Sequence, residues 1–216
     1  MVKQYPLGWE HAPSMALEDF LVSSSNQYAY NAIAHVDQWP HPALCIFGPK
    51  DSGKTHLSHA FARLFQRPVF ITPDMSFDQV KDHDAWIIED IDQTQYHEDM
   101  IFHLYNWSKE NNRKLLLTAQ KPPSQWTVKL PDLKSRFGLM DVQEISEPDD
   151  ALLELIYYKL FSDRQIMVDP SLVKYLLLHV ERSFSAATNI VIHLDREALA
   201  RKCKVSRHLA IEVLRG

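Results

Sequence analysis

The sequence predicts an α/β protein with a five-stranded parallel sheet, followed by a smaller all-helical unit. Three observations carry that reading. Short apolar runs bounded by polar residues or proline recur at Ala43 to Phe47, Pro68 to Ile71, Ala85 to Ile88, Lys114 to Leu117 and Val142 to Ile145, each with the length and punctuation of a buried strand. Stretches of helical period such as Thr55 to Phe65 and Asp99 to Lys109 lie between them, and strand-helix alternation sets strands parallel with helices on both faces. Beyond Glu147-Pro148 no strand candidate remains, and Asp149 to Phe161, Pro170 to Glu181, Ser185 to Arg201 and Ser206 to Leu214 all read as helices. The expected organisation is an N-terminal arm over residues 1–12, an α/β unit over 13–146 and a helical unit over 147–216.

Composition narrows the function classes. With 216 residues, 45% hydrophobic and 24% charged, the chain can bury a full core, which excludes disordered, collagenous and coiled-coil architectures. Its 23 basic and 28 acidic side chains give a net charge of −5, so counterion release on nucleic acid contributes little and a dedicated DNA binder is disfavoured. The basic cluster Arg201, Lys202, Lys204 and Arg207 reads as a solvated helix end. Cys45 and Cys203 form neither a metal spacing nor a disulfide framework; both read as buried small hydrophobes in a reducing compartment. The N-terminus lacks the apolar stretch of a signal peptide and no run approaches the roughly 18 apolar residues of a membrane span. A cytoplasmic protein is expected.

The strongest chemical signal follows the first strand. Gly48-Pro49-Lys50-Asp51-Ser52-Gly53-Lys54-Thr55 fits G-x-x-x-x-G-K-[ST] between a strand and a helical run. Glycines permit the tight turn, successive N–H groups converge on phosphate, and the following helix adds the positive end of its dipole. Lys54 is expected to neutralise β and γ oxygens, and Thr55 to offer its hydroxyl to a nucleotide-bound Mg²⁺. The run Ala85 to Asp92 supplies a second acidic element at a strand end. There Glu89 would orient the metal's water shell and Asp90 would stand where an activating base is needed. His56 and His59 share a helix face beside the loop without a metal-protease spacing, so no metal beyond the nucleotide's magnesium is expected. No strained G-x-S-x-G elbow occurs. Trp39 and Trp126, in Pro-rich connectors, read as partly buried packing residues.

With these motifs in place, the chain resembles the AAA+ family and, within it, the DnaA-related branch that includes the Hda-type regulators of DnaA. Leu17 to Val22 with Ser25-Asn26 resembles the segment that lies over adenine, placing Leu21, Val22 and Asn26 at the base. The stretch Thr55 to Ala60, including His56, resembles the branch's GKTHLLHA run, and Leu115 to Ala119, including Thr118, its sensor 1 strand. Leu133-Lys134-Ser135-Arg136-Phe137-Gly138 is similar to the arginine-finger motif. The resemblance implies a sheet order 5-1-4-3-2, a helical lid from about residue 147, bound ADP or ATP with Mg²⁺, and Arg136 acting in trans on ATP held by a partner.

The initiator branch continues into a DNA-binding helix-turn-helix domain, whereas this sequence ends with the lid. Gln4-Tyr5-Pro6-Leu7-Gly8-Trp9 is similar to the Q-L-x-L-x-[LF] peptides that dock on the DNA polymerase III sliding clamp (its beta subunit), with Gln4, Tyr5, Pro6, Leu7 and Trp9 as the contacts. The combination resembles a clamp-bound regulator that stimulates hydrolysis of DnaA-bound ATP and so prevents over-initiation. Such a protein would be bacterial and nucleoid-associated through the clamp, reaching DNA only indirectly, as a monomer or homodimer. Two departures from the family's pattern predict weak or absent intrinsic ATPase: Glu89 replaces the usual first Asp, and Thr188 stands where the lid's sensor 2 arginine is expected. Arg196, eight residues further along, is about 12 Å away at helical rise. An autonomous AAA+ ATPase acting in replication or DNA loading is the principal alternative; a small-molecule P-loop kinase would leave Leu133 to Gly138 unexplained.

Overall fold

In the computed structural model, which describes residues 15–215, five strands form one parallel sheet in the order β2-β3-β4-β1-β5. They are β1 (Ala43–Phe47), β2 (Pro68–Phe70), β3 (Ala85–Ile88), β4 (Lys114–Ala119) and β5 (Asp141–Glu144). This is the expected order read from the opposite edge. The residues expected in the N-terminal arm, including Gln4, Tyr5, Pro6, Leu7 and Trp9, lie outside the described residues.

The central strands are buried on both faces because each contributes apolar side chains alternately up and down. Ala43, Cys45, Trp86, Ile88, Leu115 and Leu117 feed one core cluster, and Leu44, Ile46, Ala85, Ile87 and Leu116 feed the other. Helices α3 (Phe77–Val80), α4 (Glu98–Glu110) and α5 (Pro131–Phe137) cover the first face, through Val80, Leu104, Leu133 and Phe137. Helices α1 (Gln27–Ala34) and α2 (Lys54–Ala62) cover the second, through Ala29, Ile33, Leu57 and Phe61. The result is a three-layer sandwich whose β1, β3 and β4 C-terminal ends point the same way, which places a strand-end crevice where ligands enter such sheets.

Four further helices, α6 (Asp150–Ser162), α7 (Pro170–His179), α8 (Phe184–Arg201) and α9 (Arg207–Arg215), pack around a third core of Leu153, Tyr157, Phe161, Leu172, Leu176 and Leu194. Side-chain caps start three of them: Asp149, Asp169 and Ser183 accept from Leu152, Ser171 and Ala186 N–H groups, satisfying helix donors that would otherwise lack partners.

Some boundaries differ from the sequence reading. β4 runs on through Thr118 and Ala119, which pair with Ile46 and Phe47. The helix after the phosphate loop ends at Ala62, short of Phe65. The last strand begins one residue earlier, at Asp141. Cys45 is buried but Cys203 is exposed; it follows the α8 cap Lys202, whose φ of 52° turns the chain out of the helix before α9. The basic cluster there behaves as a helix end, with Arg201 bonded to Glu197 and Glu212. No helix among the described residues is long and apolar enough to cross a membrane.

Candidate nucleotide site

The loop leaving β1 is shaped by close approach. Gly48 N–H donates to the Ala119 carbonyl at 3.2 Å, and a Cβ on Gly48 would run into the Ile145 carbonyl. Asp51 takes φ 62° and Gly53 φ 95°, and a side chain on Gly53 would also meet the Phe20 ring at 2.8 Å. Left-handed residues within a turn leading into a helix turn successive N–H groups to one side, the arrangement of an anion nest. Ser52 is buried with a hydroxyl that has no partner among the described residues.

Lys54 opens α2 and is only 6% exposed. Its Nζ donates to the Gly48 and Pro49 carbonyls at 2.9 and 2.7 Å. Burial holds its pKa below the ordinary lysine value, while the carboxylates of Asp90, Asp92, Asp51 and Glu89 pull it back up. The ammonium is thus desolvated and surrounded by acids.

Over this loop lies a hollow of about 480 Å³, with Lys54, Thr55, Asp90 and Gln120 on the sheet side and Phe184 and Thr188 on the helical side. A smaller hollow of about 140 Å³ adjoins it, lined by Leu21, Asn26, Ser52 and Leu152, and shares Gly53 and His56 with the first. Lys50 and Asp51 also line the larger space. A third hollow, about 530 Å³ beside Tyr96 and Trp126, has none of the phosphate-loop residues in its walls.

The acidic pair splits in two. Asp90 faces the larger hollow with φ 46°, and its N–H donates to the Thr118 hydroxyl at 3.1 Å. Glu89 is absent from the lining, and one of its carboxylate oxygens is buried without a partner among the described residues. Thr118 itself is 1% exposed, and its hydroxyl accepts from the Asp90 N–H; the side chain that lines the hollow just beyond the end of β4 is Gln120, two residues on. Asp92 fixes that exit, accepting from Gln120 N–H at 3.0 and 3.1 Å and from Lys121 N–H at 3.0 Å.

The segment 16–26 closes the smaller hollow. Asn26 is 2% exposed and clasps its own turn, accepting from Ser23 N–H at 2.8 Å and donating to the Leu21 carbonyl at 2.9 Å. His56 bonds the Ala16 carbonyl at 2.7 Å and meets Phe20 edge-on. Val22 points outward, 43% exposed, and lines neither space. Pro49 also lines neither, contributing its carbonyl to Lys54 instead.

Arg136 belongs to neither hollow. It sits on the last turn of α5, half-buried, with Nε enclosed, and its guanidinium has no hydrogen bond or ion pair among the described residues. Burial raises the pKa of neighbouring Tyr105, with Arg136 pulling it down and Asp141 pushing it up.

Domain III of the Thermotoga maritima replication initiation protein DnaA superposes on this architecture with a TM-score of 0.79 at 19% identity, covering 94% of this chain and 96% of that one. The chain has the AAA+ fold. A Thermotoga maritima RuvB variant superposes with a TM-score of 0.71 at 14% identity, over 94% of this chain and 72% of that one. A replication initiator DnaA bound to AMPPCP and single-stranded DNA gives 0.71 at 20% identity, over 88% and 68%. By sequence the chain is 24% identical to the chromosomal replication initiator DnaA of Campylobacter jejuni subsp. doylei, and 23% to that of Cutibacterium acnes, each over 94% of its length. Those similarities support a relationship to the DnaA branch of AAA+ proteins. The chain spans about half the length of these curated relatives, 52% and 46%. No family model matches.

Of the residues that the sequence named, Lys50 to His56, Asp90, Leu21 and Asn26 line one or other hollow, whereas Gly48, Pro49, Val22, Glu89, Thr118 and Arg136 line neither. Gln120 and Lys159 of α6 also line the larger hollow, and no local pattern singles them out.

Proposed function

We propose that this protein is a nucleotide-binding AAA+ regulator acting in replication initiation, of the kind that stimulates hydrolysis of ATP bound to a DnaA partner. The nucleotide reading rests on convergence. A buried lysine, left-handed turn residues, a helix start and Thr55 meet one hollow whose opposite wall is the lid. These residues fit ADP or ATP with Mg²⁺, whose remaining ligands would come from phosphate and water. Thr55 and Asp90 face the hollow, and the unpartnered Glu89 oxygen lies behind Asp90 in the chain. The bound metal would neutralise phosphate charge.

One observation carries the regulatory reading: Arg136 stands outside its own nucleotide hollow and without an ion pair among the described residues. A guanidinium unneeded at home can stabilise charge on another subunit's phosphate, a contribution of roughly 10³ to 10⁵ in rate. The segment Gln4 to Trp9 would tether the assembly to the sliding clamp, bringing it to DNA indirectly, in the cytoplasm and at the nucleoid. With Thr188 in the lid wall and Glu89 outside the hollow's lining, intrinsic hydrolysis is expected to be slow.

The test is reconstitution with sliding clamp, DNA and ATP-loaded DnaA, following phosphate release. Arg136→Ala should keep nucleotide binding yet abolish stimulation, and Gln4→Ala with Leu7→Ala should abolish clamp retention alone. Normal stimulation by the Arg136 variant would overturn the trans role. Fast turnover by the isolated protein would favour an autonomous ATPase instead.

A further inference from the structure

The lid wall of the larger hollow contains one basic side chain, Lys159 of α6. The start of α8, where the lid meets the phosphate loop, offers Phe184, Ser185 and Thr188 but no cation. Ser185 lies close to the loop, its hydroxyl donating to Asp51 at 2.6 Å. Three arginines of the helical unit are engaged elsewhere: Arg164 donates to the Leu160 carbonyl at 3.1 Å, Arg182 pairs with Asp150 at 3.0 Å, and Arg201 bridges Glu197 and Glu212; Lys174 and Arg196 are not in the hollow's lining. Lys159 also lines the smaller hollow. Its Nζ donates to the Asp19 carbonyl at 2.9 Å, in the segment that closes that space.

An ammonium has three donors, so with Asp19 bonded two N–H groups remain for an anion. Lysine and aspartate charges around the larger hollow balance: Lys50, Lys54 and Lys159 against Asp51, Asp90 and Asp163. Without Lys159 the lid wall would present Asp163 alone, and a polyphosphate would meet net negative charge. Lysine is suited to this as a flexible point charge that can hold one partner while reaching another.

We propose that Lys159 is the lid's phosphate-binding residue, contacting the nucleotide from α6 rather than from α8 while it holds the Asp19 carbonyl. Occupancy then ties the lid to the 16–26 segment through one side chain. This deepens the nucleotide reading and rests on it.

The test is calorimetric titration of the full chain with Mg·ADP and with AMP. Lys159→Met retains the apolar stem and should bind ADP about tenfold more weakly, a loss of about 1.4 kcal/mol, with AMP little affected. Lys159→Arg should recover most of the ADP affinity. If Lys159→Met binds ADP like the wild type, or loses ADP and AMP by the same factor, the lysine is only a structural tie and the proposal fails. Absence of ADP binding by the wild type, or its indifference to Lys54→Ala, would overturn the nucleotide reading itself, and this inference with it.

Discussion

Two cysteines show how burial governs single-residue chemistry. Cys45 sits in β1 with no exposure, and desolvation raises its thiol pKa far above the ordinary range, so the reactive thiolate is suppressed. Cys203 stands exposed beyond α8. A chromogenic disulfide reagent should therefore titrate one thiol in the native protein and two after denaturation. Lys54 has its own pH signature. Burial favours its neutral form, so its charge is lost at lower pH than for an ordinary lysine. Nucleotide affinity, followed by titration from neutral to alkaline pH, should start to fall below the usual lysine range, and bound phosphate should push the midpoint upward. Lys54 and Thr55, which line the larger hollow, could be singled out as candidates because G-x-x-x-x-G-K-[ST] is a local spacing. The sequence could not declare Lys159, whose partner Asp19 lies 140 residues away, nor assign Thr118 its bond to Asp90 across 28 residues.

At the scale of elements, each strand end that meets the nucleotide hollow is held by backbone constraints. Gly53→Ala would force a side chain into positive φ and against Phe20, costing about 1 kcal/mol or more. It should weaken nucleotide binding even where the protein still folds, as parallel denaturant melts and titrations would reveal. Asp92→Ala removes the acceptor for the Gln120 and Lys121 N–H groups; solvent can replace part of this, so about 1 kcal/mol is expected from urea unfolding. The five strands were legible because four of the apolar runs hold uninterrupted buried or half-buried positions along their length. Helices α1, α3 and α5 were not named, for the complementary reason. α1 buries only Ala29 and Ile33, α5 only Leu133 and Phe137, and α3 is four residues long, so none repeats its apolar face often enough to register as a period.

Across the whole molecule, the sheet cores and the lid core are separate clusters. Among the described residues the side-chain ties between them include Ser185 to Asp51, Ser24 to Asp149 and Lys159 to Asp19. The helical unit is expected to loosen without the sheet. Leu194→Ala, at a site with no exposure, should destabilise the lid by about 2 to 5 kcal/mol. Hydrogen exchange should then show protection lost in α6 to α9 and kept in β1, β3 and β4; equal loss in both would mean that the two cores fold as one unit. The end of strand candidates near residue 147 is a local feature of the sequence; the ties that join the parts, which span 134, 125 and 140 residues, are not.

One subunit's nucleotide is proposed to lie between phosphate loop and lid, with Arg136 outside that site. A crystal structure of the full chain with Mg²⁺ and a non-hydrolysable ATP analogue would show whether it does. The predicted result is phosphates over Gly48 to Thr55, adenine against the 16–26 segment, and the Arg136 guanidinium free of its own nucleotide. Phosphates bound elsewhere, or Arg136 folded onto the γ-phosphate of its own chain, would contradict it.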